Sequence, residues 1–311
     1  MRMDPNHATG WSAVVLARNE AAGIEGCLRA LAEAGRGQRL HVTVLLNGTS
    51  DDSARLAARA MRDTAQHGHI YTVAEPDKAH AINLFLHHLR PAAATYFFVD
   101  GYAAVAPDAL TLLDGALQTH PEALAAAAVP SQGRSAARLR DAMVRAPGLH
   151  GSLFALRGSF VGRIAALGLR LPRRLYRGDG LIGSFVLHDL DAVAGGWRPE
   201  RIVVEPRATW HAAPLRPWHW SDLRRHARRL VQQGRGRLQN AALKDAIYPA
   251  GFSNLPEDAD AQTLEWVAAA PASRRPRPWR DPFAALALRS MRMEAPVLDR
   301  AARLVSTVPG A

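Results

Sequence analysis

Thr95-Tyr96-Phe97-Phe98-Val99-Asp100-Gly101-Tyr102 is the stretch that decides the fold of this 311-residue chain. Residues 95–99 form an aromatic and β-branched run of strand length. Such a run predicts a strand covered on both faces, as in a parallel sheet. Asp100 follows it directly. A carboxylate at the end of a buried strand is costly unless it is paired or holds a metal, so Asp100 is the first candidate functional residue. Gly101 lets backbone approach a ligand closely.

The same pattern continues on both sides. Residues 12–17 (Ser-Ala-Val-Val-Leu-Ala) read as a second apolar strand, followed by a helix with Ile24, Cys27, Leu28 and Leu31 at helical spacing and Gly35 as its C-cap. A strand over 41–46, a helix over 53–62, a strand from His69 to Val73 and a helix over 79–90 closed by Pro91 come next. Downstream, Pro107 is expected to start another helix from a favoured first-turn position. Strand and helix in alternation predict an α/β fold with a doubly wound, mainly parallel sheet flanked by helices. Residues 122–146, Ala-rich and then Arg-rich, carry no assignable pattern. Residues 148–157 read as a strand passing beneath a site, and 201–210 as a final strand ending at Trp210-His211.

Composition shifts near residue 214, where Pro214, Pro217, Trp218 and Trp220 mark a junction. The expected division is a main domain over 1–215 and a basic, mainly helical extension over 216–311. That extension opens with a basic helix over 222–233. Pro- and Arg-rich residues 271–282 read as an extended strap, and 283–305 as an amphipathic basic helix.

Bulk properties narrow the function. With 48% hydrophobic residues the chain can bury a full core. The net charge of +11 invites nucleic acid or another anionic ligand, but Lys78 and Lys244 are the two lysines among 39 basic residues. An Arg-heavy bias of this kind also follows from genome composition alone. No RRM, KH or zinc-finger signature accompanies it, so no specific nucleic-acid partner is expected. Cys27 is the single cysteine, which excludes an internal disulfide and reads as a buried structural thiol. Without an apolar leader or an apolar run long enough to span a bilayer, a cytoplasmic protein is expected, at most peripheral at the inner face of the membrane.

Four polar clusters stand at strand ends, and ligands of open α/β sheets bind beyond the carboxyl ends of strands. Ala17-Arg18-Asn19-Glu20 can hydrogen-bond a base or ribose, or cap the next helix. Asn47-Gly48-Thr49-Ser50-Asp51-Asp52 combines a tight turn with helix-capping residues. Asp77-Lys78, with Asn83 five residues on, sets a rare lysine at a loop-to-helix junction, where its ammonium can meet a phosphate as a point charge or stand exposed with no role. Asp100 closes the set. There is no G-x-G-x-x-G after the first strand and no G-x-x-x-x-G-K-[ST], which removes the dinucleotide and P-loop readings.

In order and spacing these clusters resemble the motifs of family 2 glycosyltransferases of the GT-A fold, over roughly residues 11–235. The resemblance implies transfer of a sugar from a nucleotide-diphosphate sugar to an acceptor hydroxyl, with inversion, in polysaccharide or glycoconjugate synthesis. It implies that Ala17, Arg18, Asn19 and Glu20 floor the nucleotide pocket. Asn47 and Asp51 would lie near base and ribose, and Lys78 and Asn83 would border the donor. Asp100 matches the first carboxylate of Asp-x-Asp, beside the ribose and a Mn or Mg ion, with His211 as a late metal or phosphate contact. Gly151-Ser152 with Ala155-Leu156-Arg157 looks like the acceptor-side strand, and Gly178-Asp179-Gly180 like the acidic loop, with Asp179 as the base that deprotonates the acceptor, although the same residues also read as an ordinary exposed turn. Arg224, Arg225, Arg228 and Arg229 fall where some members carry an Arg-rich helix near the diphosphate. The acceptor, whether glycan, lipid-linked or small molecule, is unassigned.

The departures are specific. Leu16 replaces a Pro, Leu46 an acidic residue that contacts the base, Tyr102 the second Asp of Asp-x-Asp, and Gly178 a Glu before the catalytic Asp. Tyr102 leaves two readings of the diphosphate, a divalent ion held by Asp100, His211 and the donor phosphates or neutralisation by arginines alone, and with Gly178 it motivates a rival, a binding or scaffold protein with the fold but without a metal site. A sugar-phosphate nucleotidyltransferase lacks its Gly-rich basic loop here.

Overall fold

The computed structural model describes residues 10–133, 136–213, 220–270, 281–294 and 299–309, with the side chains of 220–226 left aside. Their strands are β1 (Trp11–Ala17), β2 (Leu40–Asn47), β3 (His67–Val73), β4 (Thr95–Asp100), β5 (Ala103–Val105), β6 (Ala125–Pro130), β7 (Leu153–Arg157), β8 (Ile202–Ala212) and β9 (Ala302–Val308). They join one sheet in the order β5-β8-β6-β7-β4-β1-β2-β3-β9. β1, β2, β3, β4, β6 and β8 run one way, and β5, β7 and β9 the other.

Every residue of β1 and β4 is buried, as their unbroken apolar runs require. Successive side chains of a strand point to opposite faces. Val14, Leu16 and Phe98 therefore enter one core with Ile82 and Phe85, while Ala13, Val15 and Phe97 enter the other with Leu28 and Leu113. Phe98 lies opposite Phe154 of β7 in register, their rings stacked 4.8 Å apart.

The helices are α1 (Ile24–Ala34), α2 (Ser53–Asp63), α3 (Lys78–Leu84), α4 (Ala109–Thr119), α5 (Ala136–Arg145), α6 (Gly158–Ala166), α7 (Gly178–Leu187), α8 (Trp220–Ala250), α9 (Ala259–Ala269) and α10 (Pro282–Met293). The first three strand-helix pairs fall where the sequence places them, with Gly35 at the C-cap of α1. Four expectations change. Pro107 precedes the cap Asp108 of α4 and does not open the helix. The unassigned 122–146 region holds β6 and α5. Gly178-Asp179-Gly180 is the first turn of α7 rather than a loop. The helix expected over 283–305 ends at Met293, and β9 follows it onto the edge of the main sheet, antiparallel to β3. Pro214, Pro217, Trp218 and most of the expected strap over 271–282 lie outside the described residues.

α8 runs for 31 residues, far beyond the expected 222–233. Leu238 on it packs with Val267 of α9 and Leu288 of α10 in a third apolar cluster. Among the described residues no helix is long and apolar enough to cross a membrane.

Candidate active site at the carboxyl ends of the strands

The strands β1, β2 and β4 end on one edge of the sheet, where antiparallel β7 begins. Two of the expected clusters are bound to each other there. Asn19 takes a left-handed conformation (φ 53°), and its Oδ1 accepts the Ser50 N–H at 2.8 Å. Asp51 Oδ2 accepts the Ala21 N–H at 3.0 Å, and its Oδ1 accepts from Ser53. Ser53 Oγ in turn accepts the Glu20 N–H at 2.9 Å. Burial works against the Asp51 charge, but these hydrogen bonds outweigh it and hold the carboxyl below its ordinary range. Asn19 and Asp51 thus hold two loops together. Asn47 is buried at the end of β2. Gly48 has φ 61°, and a Cβ there would stand 2.4 Å from that of Pro76.

Asp77 caps α3 with Oδ1, which accepts the Ala79 N–H at 2.9 Å, while its Oδ2 accepts the Arg174 N–H at 2.6 Å. Asn83 spends both amide atoms on the backbone of Leu171, at 2.8 and 2.9 Å. These bonds tie α3 to the segment that leads into α7.

Lys78 reaches the end of β4. Its ammonium is hydrogen-bonded to Asp100 Oδ1 in a half-buried ion pair. Burial opposes the ammonium charge, yet Asp100 and Asp179 overcome it and raise Lys78 above its ordinary value. The other oxygen of Asp100 accepts the Tyr102 hydroxyl at 2.8 Å. Burial and then the Asp100 charge push that phenol up, so it stays a donor. Gly101 is required by a contact other than a ligand's: a Cβ there would lie 2.5 Å from the Ala17 Cβ of neighbouring β1. Behind the strand, the Cys27 thiol lies 3.6 Å from the Asp100 carbonyl, buried as expected and with its pKa pushed up by that burial.

Asp179 completes the group. Its Oδ2 accepts the Gly151 N–H at 2.8 Å, and its Oδ1 the Gly180 N–H at 3.0 Å. Gly151 is the hub, because a Cβ there would stand 3.1 Å from Lys78 Nζ and 3.4 Å from both Asp100 Oδ2 and Asp179 Oδ2. An ammonium and two carboxylates from α3, β4 and α7 therefore surround one bare backbone position.

His150, which the motifs do not single out, sits beside that hub. Its ring stacks on Trp210 at 4.9 Å, and burial lowers its pKa against the pull of Asp179 and Asp100. The sequence signal was its place directly before Gly151-Ser152. His211, next along β8 from Trp210, points to the opposite face of that strand and is exposed.

α8 brings basic groups to the same edge. Arg229 acts electrostatically on both Tyr102 and His150, and Arg228 on Arg18. The side chains of Arg224 and Arg225 lie outside the described set. Gly236 lets α8 sit close to the loop before α7, since a Cβ there would meet the Tyr176 ring at 2.8 Å. Gln239 of α8 accepts the Tyr176 N–H at 2.9 Å, donates to the Arg174 carbonyl at 2.9 Å and donates to Asp260 at 2.7 Å. Arg235 pairs with the same buried Asp260 and with Glu294.

These residues do not fit a divalent cation well. Hard cations take several carboxylate or carbonyl oxygens. At this edge both oxygens of Asp100 are already engaged, by Lys78 and Tyr102. Among the described residues no three His, Cys, Asp or Glu side chains are grouped to hold a metal.

No protein-family model matches the chain, and no curated protein matches it. Solved structures do. A mannosyltransferase from Pyrobaculum calidifontis, in complex with GDP-Man and Mn2+, aligns with a TM-score of 0.59 at 20% identity, over 94% of this chain and 78% of that one. Glucosyl-3-phosphoglycerate synthase from Mycobacterium tuberculosis, in complex with Mg2+ and UDP, aligns with a TM-score of 0.52 at 18% identity, over 76% and 79%. The chain has the GT-A-type glycosyltransferase fold of these structures.

Proposed function

We propose that the chain is a glycosyltransferase that moves a sugar from a nucleotide-diphosphate sugar to an acceptor hydroxyl with inversion. The observation that carries this reading is the convergence of Lys78, Asp100 and Asp179 on Gly151, on a fold whose solved neighbours bind GDP-Man or UDP.

The chemistry follows from the charges. As the acceptor oxygen bonds to the anomeric carbon, the bond from that carbon to the diphosphate breaks. The diphosphate leaves with the electron pair, and the acceptor proton passes to Asp179 as general base. A base on the face opposite the leaving group gives inversion. The leaving charge needs fixed positive groups. Lys78, with Arg229 and Arg228 of α8, supplies them, and Arg18 extends the basic wall towards the nucleotide. Asp100 holds Lys78 in place and faces the ribose. The Mn2+ and Mg2+ belong to the neighbours. At this site the Lys78 ammonium and the Tyr102 hydroxyl occupy the carboxylate that a metal would need, so no step is routed through an ion.

The test is nucleoside-diphosphate release from UDP-, GDP- and dTDP-sugars, with Asp100→Asn and Asp179→Asn beside the parent chain. Removing the base lowers turnover by about 10²- to 10⁴-fold while nucleotide binding persists. Turnover unchanged in both variants overturns the site. The engaged state of Asp100 also suits a non-catalytic relative, which binds a nucleotide and releases no diphosphate from any donor.

A further inference from the structure

Beside the turn that carries Asp179 lies a cavity of about 290 Å³, formed between α7, α8 and the segment 147–149. Arg177 and Gly180, which flank Asp179, belong to its wall, and so does Leu149, one residue before His150. The remaining wall is mostly apolar, with Leu181 and Leu243 facing it, and the exposed Trp197 and Tyr248 stand at its rim. Arg177 and Lys244 line it, and no carboxylate does among the described residues.

We infer that this cavity is the acceptor subsite, and that it takes a hydroxylated apolar anion, an aryl hydroxy acid. The inference rests on the transferase reading above, since that reading makes Asp179 the base. An unsubstituted sugar would lose water from its hydroxyls against leucine walls without regaining hydrogen bonds, which is costly. Pockets for drug-sized ligands run from about 300 to 1,000 Å³. This one holds a single ring or a short chain and is too small for a lipid tail. An anionic group on that body meets Lys244, and its hydroxyl reaches from the cavity to Asp179, which lies beside the lining and not in it, and gives up its proton there as the oxygen takes the sugar.

Calorimetry on the full chain without donor tests this with three probes: 4-hydroxyphenylacetate, its neutral analogue tyrosol, and glycolate, which has the charge and hydroxyl but no apolar body. The first binds, tyrosol binds about fivefold more weakly, on the scale of one exposed charge contact, and glycolate gives no heat. Lys244→Ala, a change at an exposed side chain, brings tyrosol and 4-hydroxyphenylacetate together. Ser184→Phe, which fills the cavity from α7, abolishes both, with its melting temperature checked against the parent chain. Equal binding of glycolate, no binding of any probe, or binding indifferent to Ser184→Phe and Lys244→Ala overturns the assignment. Nucleotide binding measured on the same samples separates the two readings. Nucleotide bound without aryl probe sinks the cavity alone, and aryl probe bound without any nucleotide sinks the donor site alone.

Discussion

Lys78 and Asp100, 22 residues apart in sequence, form an ion pair at the sheet's carboxyl edge, with the ammonium on one carboxylate oxygen and the Tyr102 hydroxyl on the other. That pairing places a fixed positive charge at the candidate donor site, and the consequences can be measured.

Lys78→Met removes the charge and leaves the capped start of α3 intact, because Asp77 caps the helix with its own side chain. A hydrogen bond to a charged group contributes about 1.5–3 kcal/mol, so nucleoside-diphosphate affinity falls roughly ten- to hundredfold. Lys78→Arg recovers part of the loss. Titration calorimetry reads both, and equal affinity in Lys78→Met and the parent chain removes Lys78 from the donor site.

Tyr102→Asp supplies a second carboxylate two residues from Asp100 and withdraws the phenol that engages it. In the presence of whichever nucleoside diphosphate binds, Mn2+ then raises the melting temperature of the variant by a few degrees, as expected for a ligand well above its dissociation constant. The parent chain shows no added shift. A parent chain that already responds to Mn2+ contradicts the charge assignment to Lys78.

Gly151→Ala puts a methyl 3.1 Å from Lys78 Nζ and 3.4 Å from both carboxylates. The flexible lysine gives way more readily than backbone, so the fold persists and the melting temperature changes little. Displacement of the reacting groups by an ångström can cost about 10²-fold in rate. Activity with an unchanged melting point is the diagnostic pair, and full activity in this variant argues that the hub has no part in turnover.

The opposite edge of the sheet carries a pH dependence. Burial, followed by His69 and His67, lowers His41 to about 4, and its Nε2 lies 3.1 Å from His69 Nδ1. An unfolded histidine titrates near 6.5. The fold therefore holds the neutral ring, and between these values the unfolded chain binds a proton that the folded chain refuses. Stability from this group is present above about pH 6.5 and is lost as pH falls through about 4. His41→Phe keeps a ring without a titrating nitrogen. Its melting temperature drops less than that of the parent chain between pH 6.5 and 4, and parallel curves for the two refute the linkage.

Much of the fold was legible because buried parallel strands write themselves as apolar runs: β1, β2 and β4 fall within a residue or two of the expected bounds. Asp100 was legible for the same reason, as a charge where the run stops. Three features needed tertiary contacts. Ala302–Val308 is an edge strand, largely exposed, whose partner lies far off in sequence, so its local pattern passed for the end of a helix. Asn83 and Asp51 carry polar atoms of the kind a ligand site uses, and the bonds those atoms make to the backbone of Leu171, Ala21 and Ser53 join segments far apart in sequence or depend on the loop's final shape. His150 belongs to no motif and gains its place from the ring of Trp210, 60 residues on in the chain.

The pairing of β9 with β3 couples the sheet's edge to the order in which the chain can fold. Contacts between segments so distant in sequence are slow to form, because the intervening chain must be brought together first. Until β9 arrives, β3 presents a row of unpaired amide and carbonyl groups to any other strand it meets. With β9 in place the backbone groups of β3 are paired, and the open edge of the sheet passes to a strand of seven residues that carries Arg303 on its exposed side.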